Sequence, residues 1–260
     1  MTRTYAVTGA ASGIGKATAG LLREAGHTVI GIDIHDADVV ADLSDADSRA
    51  QMVADVTEKS GGRLDGVLAV AGLANDDVPT ALVNYFGAVG TLEGLRPLLE
   101  TSDAPRAVLV SSMASLFEYD KELGAAMETG DEDGVRARAQ ALVDGQGQTI
   151  YATSKRAVAR WMRRQAPSAD WAGKGIALNA VAPGMVETPM IAEQLSTPEG
   201  RKALEEQVPM PLNGIVQAED VAEVIIWLAG AQNGHLCGQL IFVDGGSDVV
   251  IRGDSILPMD

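Results

Sequence analysis

A single cysteine, Cys237, in 260 residues excludes an internal disulfide. No basic stretch leading into an apolar core stands at the start of the chain, and together these absences favour a reducing, cytoplasmic setting. No apolar run approaches the roughly 18 residues of a membrane span, so no membrane partner is expected. The three histidines, His27, His35 and His235, are scattered, and His235-Leu236-Cys237 offers at most two ligands; no metal site is expected. Positive charge is scarce: 20 lysines and arginines stand against 36 acidic residues, a net charge of −16. That balance argues against nucleic acid and anionic membranes, which are themselves polyanions, and leaves a small molecule as the expected partner. Internal repeats and low-complexity tracts are absent as well.

What is present suits one α/β domain with room for an insertion. Short β-branched or apolar runs at Tyr5 to Thr8, Thr28 to Asp33, Gly66 to Ala71, Ala107 to Ser111, Ile176 to Val181 and Leu240 to Val243 read as strands. Helical patterns fall near Ile14 to Ala25, Ser44 to Lys59, Val78 to Leu99, Tyr151 to Trp171 and Ala218 to Ala229. This alternation predicts a single-domain, Rossmann-type, doubly wound parallel sheet with helices on both faces. Right-handed crossovers then gather ligands beyond the carboxyl ends of the strands.

The first such end carries Thr8-Gly9-Ala10-Ala11-Ser12-Gly13-Ile14-Gly15. Its glycines let the backbone approach a pyrophosphate, and the following helix offers free N–H groups and a positive dipole end to that anion. A structural strand-to-helix turn uses the same residues, so the cluster alone is a moderate signal. Asp33 strengthens it, ending the second strand pattern 33 − 15 = 18 residues after Gly15, where an acidic group takes adenosine ribose hydroxyls. A carboxylate there repels a 2′-phosphate, and Ser12, Ile34 and His35 supply no cationic fork, so NAD is favoured over NADP. Tyr151 and Lys155 are four apart, which on a helix places both on one face. Such a pair is often a solvated face; beside a reaction site, the ammonium is expected to lower the phenol's pKa from about 10.

Thr8-Gly9-x-x-x-Gly13-x-Gly15, Asp42-Leu43, Asn84, Ser111-Ser112, Tyr151-x-x-x-Lys155, Asn179-x-Val181-x-Pro183-Gly184-x-Val186-x-Thr188 and Val243-Asp244-Gly245-Gly246 follow one another in the order of the short-chain dehydrogenase/reductase family, which the chain resembles over essentially its whole length. Gly31-Ile32-Asp33-Ile34, Val40-Ala41-Asp42-Leu43-Ser44 and Asn84-Tyr85-Phe86-Gly87 resemble its bacterial 3α-hydroxysteroid dehydrogenase/carbonyl reductase group. The resemblance implies Tyr151 as general acid/base and Ser112 as the hydroxyl steadying the substrate oxygen. Lys155 then binds the nicotinamide ribose, and Asn84 holds a water linking Lys155 to solvent. Adjacent strand residues point to opposite faces, so only one of Ser111 and Ser112 reaches the cleft, and Ser112 is the choice. For the cofactor it implies Gly9, Ser12, Gly13, Ile14 and Gly15 at the pyrophosphate, Asp33, Ile34, Asp42 and Leu43 at the adenosine, and Ala71 and Gly72 along the path. Pro183, Gly184, Val186 and Thr188 are implied at the nicotinamide. Met113, Leu116, Met185 and Met190 are expected at the substrate, an apolar alcohol or ketone.

Two departures stand out. Ala69-Val70-Ala71-Gly72 replaces the family's Asn-Asn-Ala-Gly, and valine makes none of the asparagine hydrogen bonds that support the central sheet. Ser112 and Tyr151 are 151 − 112 = 39 positions apart, longer than in most of the family, so roughly residues 116–149 are an insertion. Within it Thr129-Gly130-Asp131-Glu132 resembles a capping box, Gly145 can stop the helix, and Val135, Ala139, Leu142 and Val143 share a face. That face packs on its own domain or forms a subunit interface; a homodimer or homotetramer is expected. Residues 187–214, with Met190, Ile191, Leu195, Met210, Pro211 and Leu212, occupy the place of the family's substrate lid. Trp161 and Trp171 are expected to pack on the Tyr151 helix. Steroid and terpene or other alicyclic alcohols remain open as substrates, as does a non-catalytic NAD-binding regulator.

Overall fold

The computed structural model describes residues 2–145, 147–188 and 196–257. In chain order the elements are β1 (Thr4–Thr8), α1 (Gly13–Glu24), β2 (Thr28–Asp33), β3 (Val39–Val40), α2 (Ala46–Ser60), β4 (Gly66–Ala69) and α3 (Val78–Ala81). A π turn (Leu82–Gly87), α4 (Ala88–Leu99), β5 (Arg106–Val110), a 3₁₀ turn (Met113–Leu116), α5 (Lys121–Thr129), α6 (Glu132–Asp144) and α7 (Ile150–Gln165) follow. Then come β6 (Ala177–Pro183), β7 (Val186–Glu187), α8 (Pro198–Gln207), β8 (Val216–Gln217), α9 (Ala218–Ala229), β9 (Leu240–Val243) and α10 (Ser247–Arg252).

Seven strands form one parallel sheet in the order β3-β2-β1-β4-β5-β6-β9. The chain reverses direction across the sheet between β1 and β4, which opens a crevice at their carboxyl ends. Side chains alternate along each strand, so both faces are buried. Tyr5 and Val7 of β1, with Val108 and Val110 of β5, pack against Leu22 of α1 and Val221, Ile225 and Leu228 of α9. Ala6, Ala107 and Leu109 join the opposite layer with Leu92, Leu95, Val158 and Met162. Each fully buried leucine contributes on the order of 1.5–3 kcal/mol, enough to hold the strand ends in fixed relation.

Several boundaries differ from the sequence expectation for local reasons. β4 stops at Ala69 because the N–H groups of Val70 and Ala71 both donate to Thr8 Oγ1 at 3.0 Å, outside the ladder. Thr8, together with packing of Val70 against Leu68, Val108 and Val110, thereby supports the sheet where the family's asparagine is missing. The Tyr151 helix ends at Gln165, not Trp171, because Pro167 has no N–H to continue it. Trp171 is fully buried and meets Trp161 edge-on at 6.1 Å, so both tryptophans pack at that helix end. The expected capping box is really a junction: Thr129 ends α5, Gly130 adopts φ 75°, and Asp131 caps α6 by accepting from Gly134 N–H. Helix α5 itself and the β3 pair carried too little periodicity to be read. Leu123, Met127, Val135 and Ala139 of the inserted helices are buried in the core, Leu142 packs beside it, and Val143 is exposed. No helix among the described residues is long and apolar enough to cross a membrane.

Candidate active site

At the crevice, Gly9 and Gly13 adopt φ 72° and 49°, conformations that favour glycine. A Cβ on Gly15 would lie 2.1 Å from the Gly9 carbonyl oxygen, so no side chain fits there. Ser12 sits at the N-cap of α1 with extended backbone and makes no side-chain cap hydrogen bond. The resulting cradle, with Ile14 on its wall, presents α1's positive end to a cleft of about 1400 Å³. Asp33, at the end of β2, accepts Ala11 N–H at 2.9 Å through Oδ2 and Ile34 N–H at 2.7 Å through Oδ1. It therefore anchors the glycine loop as well as facing the cleft. Ile34 is half exposed at the rim. Asp42 directs Oδ1 to the N–H and hydroxyl of Ser44 at 2.8 and 2.7 Å, and Leu43 is buried. Thr188 approaches the other side, its Cγ2 3.3 Å from where a Gly13 Cβ would stand. Pro183, Gly184 and Val186 line the same end of the cleft. Gly184 faces an additional constraint, since a Cβ there would fall 2.9 Å from Met210 Cε and 3.0 Å from Asp244 Cα.

Deeper in the cleft, Ser112 leaves the end of β5 as the N-cap of the 3₁₀ turn, its Oγ accepting Ala114 N–H at 3.1 Å. The same hydroxyl hydrogen-bonds the Tyr151 phenol, from the first turn of α7. Ser111 points away and donates to the Lys155 carbonyl at 2.8 Å. Lys155 Nζ, one turn beyond Tyr151, lies 5.9 Å from that ring's centroid and donates to the Val110 carbonyl at 3.1 Å. Gly72 admits it: a Cβ there would meet Lys155 Nζ at 2.9 Å and Asn84 Oδ1 at 3.0 Å. Asn84 comes from the π turn, where the widened helix turns its side chain inward; such turns recur at functional sites. Its Oδ1 accepts Leu73 N–H at 2.9 Å, and its Nδ2 donates to the Leu73 carbonyl at 2.9 Å and to Ser154 Oγ at 3.0 Å.

Two residues that sequence reasoning missed hold Tyr151 itself. Ser154 Oγ donates to the Tyr151 carbonyl at 2.7 Å, and Asp76 Oδ1 accepts Tyr151 N–H at 3.1 Å from across the cleft. Thr149 caps α7 without a side-chain hydrogen bond, so Asp76 satisfies an otherwise free helix N–H. The tandem carboxylates Asp76-Asp77 were the signal: Asp77 caps its own helix α3 by accepting Thr80 N–H, and one carboxylate was left over.

Burial outweighs the Ser112 hydrogen bond and raises the Tyr151 phenol above its ordinary value. The expected depression is not found: Lys155 Nζ, 5.9 Å from the ring centroid, does not offset that burial, and desolvation lowers the lysine itself to about 8, which leaves it protonated at neutral pH. At neutral pH the phenol is therefore protonated and placed as a donor.

One wall of the cleft is apolar. Met113, Met185 and Val208 form a small buried cluster with Phe117, Leu204 and Met210 against it. Leu116 does not line the cleft: the 3₁₀ turn carries it past the site, and Phe117 takes that wall. Met190, Ile191 and Leu195 lie outside the described residues. Met210 packs beneath Gly184, with Met185 N–H 3.3 Å from its sulfur, and Leu212 is exposed. Among the described residues no group of three or more histidine, cysteine or acidic side chains is arranged to hold a metal ion.

Residues 9–248 match the enoyl-(acyl carrier protein) reductase family. The chain is 38% identical over 251 residues to a 3-alpha-hydroxysteroid dehydrogenase/carbonyl reductase of Comamonas testosteroni, covering 95% of this chain and 96% of the other. It is 32% identical to a cis-4-hydroxycyclohexanecarboxylate dehydrogenase of Sinomonas cyclohexanicum, covering 95% and 97%. The crystal structure of a 3-alpha-hydroxysteroid dehydrogenase from Pseudomonas sp. B-0831, complexed with NADH, superposes with a TM-score of 0.85 at 43% identity, covering 96% of this chain and 98% of that one.

Proposed function

The chain belongs to the short-chain dehydrogenase/reductase family, and we propose that it is an NAD-dependent dehydrogenase of bulky apolar secondary alcohols, similar to 3α-hydroxysteroid dehydrogenase/carbonyl reductase. The observation that carries this reading is the convergence of Ser112, Tyr151 and Lys155 at the base of one cleft between a glycine cradle and an apolar wall. The residues fit a dinucleotide: the glycine loop brings the N-terminal end of α1 to the cleft wall, and Asp33 places a carboxylate where a 2′-phosphate would be repelled. Bound there, NAD supplies hydride acceptance and donation.

The chain's own groups manage the proton and the oxygen. Tyr151 Oη transfers the proton to or from the substrate oxygen, and the Ser112 hydroxyl steadies the charge developing on that oxygen. Lys155 holds the ribose side, and its ammonium favours the phenolate once the proton has left Tyr151. Asn84, clamped to Leu73 and Ser154, keeps the Gly72 wall and the Tyr151 turn at a fixed spacing and borders the path from Lys155 to solvent. Met113, Met185 and Phe117 exclude water from the reacting centre and suit an apolar ring system, steroid or alicyclic. The enzyme works in the cytoplasm as a homodimer or homotetramer.

The test is absorbance of reduced nicotinamide with NAD or NADP against a panel of steroid, terpene and simple cyclic alcohols. Turnover with NAD is expected, and Tyr151→Phe is expected to lower kcat by about 10²–10⁴ while NADH binding persists. Retained turnover in that variant refutes the proton-transfer role. Binding of NAD without turnover of any alcohol favours a regulatory protein.

A further inference from the structure

Phe117, Glu118, Gln148 and Thr149 of the inserted segment line the cleft directly, and a further residue of it, Glu132, is linked to the loop on the opposite side. Glu132, the first residue of α6, places Oε2 2.5 Å from Arg49 Nη2 and Oε1 2.8 Å from Arg136 Nη2. Each arginine in turn donates to a successive carbonyl of one loop: Arg49 Nη1 to Leu43 at 3.0 Å and Arg136 Nη2 to Ser44 at 3.0 Å. Leu43 and Ser44 line the cleft beside Asp42, on the side of Asp33. The Arg49 side chain is only 11% exposed and the Glu132 side chain 22%, so that pair is shielded from water, whereas the Arg136 arm is open to it. Helix α6 also packs on α3 and on the π turn that carries Asn84.

We propose that the insertion is a positioning device for the adenosine side of the cofactor cleft, acting through Glu132. This inference rests on the reading of the cleft as an NAD site. Glu132 neutralises two guanidiniums at once and fixes the direction of their forks, so that both remaining donors hold the 43–44 backbone in the conformation that receives adenosine. Without the carboxylate, Arg49 is a nearly buried charge lacking its counterion; it turns toward solvent and releases the loop. Glu132 then contributes to cofactor affinity without itself lining the cleft. Glu128, in the last turn of α5, provides an internal comparison: it is just as firmly paired, to Arg160 and Arg164 of α7, but has no connection to the loop.

Titrations of NADH, ADP-ribose and reduced nicotinamide mononucleotide into wild type, Glu132→Ala, Glu132→Gln and Glu128→Ala decide the matter. Loss of Glu132 is expected to raise the Kd of NADH and of ADP-ribose about fivefold to tenfold. Reduced nicotinamide mononucleotide, which lacks adenosine, binds unchanged, and Glu128→Ala leaves all three ligands unaffected. The isosteric glutamine variant preserves packing and carries the test if the alanine variant folds poorly; it shows the same selectivity at smaller size. Glu132 variants that bind NADH as wild type does, that weaken all three ligands alike, or that merely match Glu128→Ala overturn the proposal. A wild-type protein that binds no NADH overturns the cofactor reading instead.

Discussion

Lys155→Met is expected to make the cofactor-free protein more stable while abolishing most of its turnover. Lys155 is 4% exposed, and desolvation alone lowers its pKa from 10.5 to about 8. At about 1.36 kcal/mol per pH unit, that difference corresponds to about 3 kcal/mol of destabilisation from holding the ammonium inside the fold. Methionine keeps the aliphatic stem and removes the charge, but deprives the Val110 carbonyl of its 3.1 Å donor, which costs about 1 kcal/mol. The net gain is about 2 kcal/mol at pH 7, or roughly 4 °C in Tm for a domain of this size. The sign follows from linkage. Below pH 8 the lysine is protonated in both folded and unfolded chains, so the full penalty is present in wild type. Between 8 and 10.5 the folded lysine is neutral while the unfolded one still binds a proton, so wild-type stability rises with pH and the mutant's advantage shrinks. Above 10.5 the charge-dependent gain is gone. Urea denaturation of both proteins at pH 7, 9 and 11, without cofactor, measures the gap directly. A variant no more stable than wild type at pH 7, or a gap that stays constant up to pH 11, refutes the argument that the site pays stability for a buried ammonium.

Asp33→Asn keeps an acceptor for Ala11 N–H but removes the charge, so the ratio of NADP to NAD efficiency should rise on the order of tenfold. An unchanged ratio in steady-state kinetics contradicts the repulsion argument. Asp76→Ala should lower kcat about tenfold with little change in cofactor binding, because the Tyr151 N–H loses its partner and the first turn of α7 loosens. Asp76→Asn retains the acceptor and should recover most of the rate, an outcome that loss of packing alone does not predict. Glu128 is held down to about 2 by hydrogen bonds from Arg164 and Arg160. Its contribution is therefore fully present above about pH 4.5 and disappears as pH falls toward 2. Discounted for its partial exposure, Glu128→Gln should cost about 1 kcal/mol at pH 7 and only a small part of that at pH 2, as read by denaturation midpoints.

The order of the elements was legible because it is written in local pattern. Alternation along Tyr5 to Thr8 and Ala107 to Val110 places successive residues in opposite core layers, as observed. Glycines at 9, 13 and 15 announced a tight strand-to-helix turn, and their positive φ or lack of space for Cβ is the physical basis of that signal. Boundaries were less legible. The end of β4 depends on a hydroxyl from β1, and Leu116 misses the cleft because a 3₁₀ turn, short and weakly patterned, redirects the chain.

By itself, then, the sequence determined the alternation of strands and helices, the turn conformations, and which chemical groups arrive at the carboxyl ends of the strands, since all of these follow from near-neighbour spacing. Tertiary structure alone decided what those groups experience once assembled. Tyr151 is raised rather than lowered because burial is a property of everything packed around it, not of its spacing from Lys155. Asp76 reaches a helix 75 positions away, and Glu132 reaches an arginine 83 positions away, because packing of the layers brings those atoms within 3.1 and 2.5 Å. Desolvation and hydrogen bonding act over a few ångströms of space, and only the folded chain converts distance along the sequence into that proximity.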